Sequence, residues 1–184
     1  MSRIARDNQL KTPYNVLDTD PHATRVIKYM RPADYAAWGG MTAAAPLAFY
    51  GLELADPTKM TRAGIRPALR LTAFLGFTGG FLLAYQSSSL RLWGWKENLA
   101  EEKAIDKEMW ALAKEGKPLY GEETLPPYIQ SVAHRNSTWS QVSRASMGWM
   151  KRLKFSVMPW QVFNFVRHPH HGVDVSKYET SKEE

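Results

Sequence analysis

The sequence predicts an all-α membrane protein: a two-helix transmembrane hairpin with amphipathic helices and extended arms outside the membrane. Three observations carry this prediction. Residues 35–52 and 71–90 contain no Asp, Glu, Lys, Arg or His. As helices, the two stretches reach about 27 and 30 Å, the thickness of a bilayer core. The rest of the chain is polar and charged, so the overall 44% apolar and 23% charged content averages two unlike kinds of sequence. A pair of buried helices in a soluble protein is the competing reading.

The elements follow in order. Residues 1–34 form an N-terminal arm outside the membrane, 35–52 the first span, 53–70 a basic loop and 71–90 the second span. Residues 91–116 then read as an amphipathic helix, and 117–184 as an extended and helical C-terminal arm. No apolar run precedes Tyr35, which argues against a secretory signal. Asp7, Asp18 and Asp20 do not suit a mitochondrial presequence, so import information would be internal. Basic residues leave the orientation open: the loop has Lys59, Arg62, Arg66 and Arg70, against Arg25, Lys28, Arg31, Arg91, Lys96 and Lys103 on the two flanks.

Both spans carry small residues at every fourth position. The first row is Ala36, Gly40, Ala44 and Ala48; the second is Thr72, Gly76, Gly80, Ala84 and Ser88. Small residues at this spacing let a second helix backbone approach closely, which is a main source of helix association in lipid. The rows either seal the hairpin to itself or face a partner protein. Phe74, Phe77, Phe81 and Leu82 fall largely off the second row. Neither span holds an ionisable group at depth, which transporters and proton pumps need. Pro46 removes one backbone donor and can kink the first helix.

Beyond the second span, Trp95, Leu99, Ile105, Met109, Leu112 and Ala113 share one helical arc, with Glu97, Glu101, Lys107, Glu108 and Glu115 opposite. Gly116 and Pro118 mark the stop, and Pro126-Pro127 an extended connector. Thr138 and Gln141 fit a capping box ahead of a basic helix. In it, Trp139 and Trp149 lie on one arc while Arg144, Lys151 and Arg152 lie on the other side. Aromatic anchors beside cations suit anionic phospholipid such as cardiolipin, or an acidic partner surface; ordinary packing is the plain alternative. Residues 155–166, apolar and aromatic around Pro159, read as an arm that needs burial on a partner.

Little in the chain suggests chemistry. With zero Cys, disulfides, iron–sulfur ligation and thiol catalysis are excluded. His168, His170 and His171 have metal-like composition, but Pro169 stiffens the run and Asp174 gives no ligand spacing, so a surface or interface cluster is the better reading. No nucleotide-binding loop, nucleophile elbow or paired catalytic carboxylates occur. The net charge of +6 is spread among acids, which does not suit nucleic acid. The expectation is a protein with no catalytic, cofactor-binding or metal residues.

Three segments carry a family resemblance: DPHATRVIKYMRPADYAAW (20–38), TRAGIRPALRLTAFLGFTGGF (61–81) and WKENLAEEKAIDKEMW (95–110). Across roughly 18–123 the chain resembles the NUXM-type accessory subunit of fungal mitochondrial complex I, the NADH:ubiquinone oxidoreductase. The resemblance implies a non-catalytic, two-pass subunit of the mitochondrial inner membrane. It implies partners among the membrane-arm subunits, especially the antiporter-like core subunits, and no redox cofactor. It also favours a matrix loop, with both termini in the intermembrane space. A component of a translocase or transporter that oligomerises through its Gly-rich helices is the alternative from another class.

Overall fold

The computed structural model describes residues 12–19, 21–58, 61–120, 126–129, 132, 165 and 176–179. The elements are α1 (Ala23–Lys28), α2 (Pro32–Ala55), α3 (Arg62–Leu92), α4 (Leu99–Lys114) and α5 (Ser176–Glu179). They divide into two compact units, one of Tyr29–Ser88 and one of Met1–Lys28 with Ser89–Glu184.

The unit 29–88 is an antiparallel helix pair. Pro32 opens α2, where its fixed φ suits the first turn and its missing donor costs nothing. Asp34, in that same turn, accepts the Arg31 backbone N–H at 2.8 Å. Pro46 sits inside α2 without ending it. After α2 the chain turns at Asp56–Pro57, and the Glu53 carboxylate accepts the Thr58 N–H at 3.0 Å and its hydroxyl at 2.7 Å. The antiparallel order follows from the contacts: Trp38 meets Phe81 and Phe77, while Ala45, two turns later, meets Gly76.

Among the described residues one helix is long and apolar enough to cross a membrane, Gly64–Leu92 of α3. This narrows the sequence expectation of two spans. At 24 residues α2 has the length. Its uncharged run, however, is built of Gly and Ala with Tyr35, Trp38, Thr42 and Pro46, so freedom from charge is not matched by strong apolarity.

The core of the other unit holds Leu17, Val26, Leu92, Trp93, Ile105, Met109 and Tyr178. Gly94, at φ 73, makes the turn after α3; a Cβ there would be strained and would meet the Tyr14 carbonyl oxygen at 2.5 Å. The arm 14–18 is bound at that turn: Tyr14 N–H donates to Gly94 O at 3.1 Å, and Leu17 N–H donates to Leu92 O at 2.9 Å. Because of this turn, α4 begins at Leu99 rather than at Trp95. It closes in a Schellman motif, in which Gly116 N–H reaches Ala113 O and Lys117 N–H reaches Leu112 O.

The buried face of α4 is Glu101, Ile105, Met109 and Ala113. This differs from the arc expected from the sequence, in which Leu112, here only half-buried, belongs to the apolar side. Leu99 is 58% exposed, and Glu101, expected on the polar side, is buried because Arg91 lies against it.

Candidate functional site

The α2–α3 seam is the tightest packing in the unit 29–88. A Cβ on Gly76 would stand 2.6 Å from Met41 O and 2.7 Å from the Ala45 methyl. One on Gly80 would stand 2.8 Å from Trp38 O and 3.0 Å from the Met41 Cβ. Both glycines are therefore required by the approach of the α2 backbone, which brings their Cα hydrogens toward carbonyl oxygens. Trp38 fills the groove so formed. Its ring lies 5.1 Å from Phe77 and 5.1 Å from Phe81, and its indole N–H donates to Phe77 O at 2.9 Å.

The two small-residue rows sit differently. On α3, Gly76, Gly80, Ala84 and Ser88 are buried and Thr72 is half-buried. On α2, Ala36, Gly40, Ala44 and Ala48 are all exposed, and Gly40 has nothing within 4 Å of its Cβ position. The α2 residues that meet α3 are Trp38, Met41, Thr42 and Ala45. Gly76 and Gly80 thus receive the α2 backbone itself, with Met41 and Trp38 side-chain atoms beside it at Gly80. Leu71, Phe74, Leu75 and Phe77 leave α3 with an exposed, bulky apolar face, whereas the exposed row of α2 is smooth.

The second arrangement is polar. Arg91 Nε and Glu101 Oε1 stand 2.8 Å apart, with both side chains buried. Asn98 fastens the surrounding backbone by donating to Asn15 O at 2.7 Å and to Arg91 O at 2.8 Å. At the edge, Asn15 donates to Glu102 at 2.9 Å, and Lys28 pairs with Glu108 at 2.8 Å. A charge pair taken out of water is held only when further hydrogen bonds surround it. Here those bonds join the arm 14–18, the end of α3 and the start of α4.

The third arrangement docks α5. Lys177 Nζ lies 2.7 Å from Asp106 Oδ1, the Tyr178 hydroxyl donates to the same oxygen, and Trp110 stands edge-on to Tyr178 at 5.3 Å. Burial opposes ionisation of Asp106, but the Lys177 and Tyr178 hydrogen bonds outweigh it and hold the carboxyl below its ordinary range. The same Asp106 bond raises Lys177. Burial, then the bond to Asp106, raises Tyr178. Nearby, Tyr120 is pushed up to about 12, chiefly by burial and then by Asp18, while Arg25 lies 5.2 Å from its ring centre.

These arrangements do packing and anchoring. Among the described residues no group of three or more His, Asp or Glu side chains is placed to hold a metal ion. His168, His170 and His171 lie outside the described residues, as do Trp139, Arg144, Trp149, Lys151 and Arg152 of the expected basic helix. Of the expected α3 row, Gly76 and Gly80 lie against α2. The spacing rule did not find Trp38 or the Arg91–Glu101 pair, because neither has a repeating signature.

Known proteins supply the biological setting. Residues 11–97 match the family described as NADH-ubiquinone oxidoreductase complex I, 21 kDa subunit. Residues 106–184 match the C-terminal family of the same 21 kDa subunit. The chain belongs to the complex I 21 kDa subunit family. It is also similar to the NADH-ubiquinone oxidoreductase 20.9 kDa subunit of Neurospora crassa, at 43% identity over 169 residues, covering 92% of this chain and 82% of the relative. The likeness therefore extends well past residue 123, where the sequence resemblance faded. As a 21 kDa subunit the chain is a non-catalytic component of an enzyme complex. Its setting is the mitochondrial inner membrane, and its partners are other complex I subunits.

Proposed function

We propose that this 21 kDa subunit stabilises the proton-pumping membrane arm of complex I and helps assemble it, acting as a two-pass clamp. In this reading α2 and α3 both cross the membrane, with the loop 53–70 in the matrix and both termini in the intermembrane space. The exposed row Ala36, Gly40, Ala44 and Ala48 packs against a helix of an antiporter-like core subunit. The segment with Trp139, Arg144, Trp149, Lys151 and Arg152 contacts phospholipid, cardiolipin included, or a neighbouring subunit.

The observation that carries the proposal is the asymmetry of the helix pair. Gly76 and Gly80 are used up internally, while among the described residues nothing covers the second small-residue row on α2 or the bulky face of α3. A helix interior pays about 1 kcal/mol for an exposed Gly relative to Ala, so an open Gly40 in this row suits a close neighbour.

The test is a strain lacking the subunit. Assembled complex should fall, while NADH:ubiquinone turnover per assembled complex stays unchanged. Normal assembly with reduced turnover would assign the subunit a role in catalysis instead.

A further inference from the structure

Two arginines precede the uncharged part of α3. Arg66 and Arg70 are both exposed, and among the described residues neither has a hydrogen-bond or ion-pair partner. Four residues apart on one helix, they stand about 6 Å apart along its axis, a like-charge pair that mildly destabilises the helix unless an anion joins it. Among the described residues no carboxylate pairs with either. Residues 53–70 hold two acids, Glu53 and Asp56, against Lys59, Arg62, Arg66 and Arg70. Both oxygens of Glu53 are already engaged by Thr58.

The face continues directly into apolar surface. At 3.6 residues per turn, Arg66, Phe77, Arg70 and Phe74 fall within about 80° of one another around α3. Phe74 is 63% exposed and Phe77 50% exposed. Arg70 immediately precedes the 20-residue uncharged run 71–90, so in a bilayer-spanning helix it stands at headgroup depth while the phenyl rings stand at acyl-chain depth. A guanidinium offers a planar fork of donors that suits phosphate oxygens.

We propose that Arg66 and Arg70, with the adjoining Phe74–Phe77 face, form a binding site for an anionic phospholipid, the phosphate on the two guanidinium groups and an acyl chain along the rings. An acidic side chain of a neighbour would meet only the cationic half of this surface. The site is distinct from the lipid contact at 139–152 and rests on α3 crossing the membrane.

The test uses inner-membrane vesicles containing the intact complex. They are loaded with photoactivatable phosphatidylglycerol or phosphatidylcholine, and cross-links are mapped on the chain. The peptide around 66–77 should be labelled preferentially by the anionic probe, by about five-fold for each arginine. Arg66→Gln with Arg70→Gln should abolish the preference, and Arg66→Lys with Arg70→Lys should retain most of it. Equal labelling of the wild type by both probes, or an unchanged preference in the glutamine variant, would overturn the site. Migration of the chain away from complex I on a native gel would instead remove the proposed function and leave the lipid comparison readable.

Discussion

The Trp38 indole on α2 donates its N–H to the Phe77 carbonyl oxygen on α3 at 2.9 Å, across a groove opened by glycine. The bond ties one side chain of α2 to one backbone atom of α3, so it fixes the register of the pair as well as its separation. Gly80 lies one turn along α3 from that contact, and a Cβ there would lie 2.8 Å from Trp38 O, a backbone atom that cannot rotate away.

Gly80→Ala should therefore destabilise the helix pair by about 1–3 kcal/mol, as overpacking does. Gly39→Ala, where a Cβ meets nothing within 4 Å, should be neutral or slightly stabilising. Thermal inactivation of the purified complex, with retention of the subunit scored, compares the two. Equal effects would mean that the seam is looser than its geometry.

The proposed two-pass arrangement predicts opposite sidedness for positions on either side of α3. The chain contains no Cys, so a single introduced thiol reports one position. Asp56→Cys should be modified by a membrane-impermeant maleimide only from the matrix side, and Lys107→Cys only from the intermembrane space. Labelling of both from one side would contradict two crossings.

Removing one member of the buried ion pair should cost more than removing both. Glu101→Ala leaves Arg91 buried without its 2.8 Å partner, a loss of about 3–5 kcal/mol. Arg91→Met combined with Glu101→Leu should recover a large part of it. Steady-state subunit level and protease resistance measure the difference. A double variant worse than Glu101→Ala would show that Arg91 stabilises through other contacts.

Docking of α5 should hold over a broad pH plateau. The Asp106 carboxyl is depressed below 3.8, so its contribution is complete above that value and is lost as pH falls through the folded-state pKa. Lys177 is raised above 10.5 and Tyr178 above 10.0, so their contributions are complete below about pH 10 and are lost as pH rises through the folded values. Spin labels at Lys107→Cys and Ser176→Cys should give one narrow distance between about pH 4 and pH 10, broadening on both sides. Asp106→Asn should broaden it at neutral pH.

The parts of the fold legible in the sequence were those with a period. Small residues at 76, 80, 84 and 88 repeat every fourth position, and that face of α3 is buried. The same logic on α2 could not distinguish a face meeting α3 from one left open, because Ala36, Gly40, Ala44 and Ala48 suit either. What fills the glycine groove is a single Trp, and single residues have no period. Glu101 was misplaced for a related reason: the pattern gives a carboxylate to solvent, and only the return of α3 with Arg91 makes its burial tolerable. The start of α4 moved from Trp95 to Leu99 because the positive φ of Gly94 and the arm 14–18 occupy the turn, a tertiary event invisible to local propensity.

In the proposed function the helix pair holds this subunit in complex I and thereby supports the membrane arm. The most direct measurement is native electrophoresis of detergent-solubilised inner membranes from a Gly76→Leu, Gly80→Leu strain, probing this chain beside an in-gel NADH dehydrogenase stain. Wild-type chain should migrate with the active band, and the variant should be lost from it with a matching fall in assembled complex. A full-strength active band containing the variant at the wild-type level would contradict it.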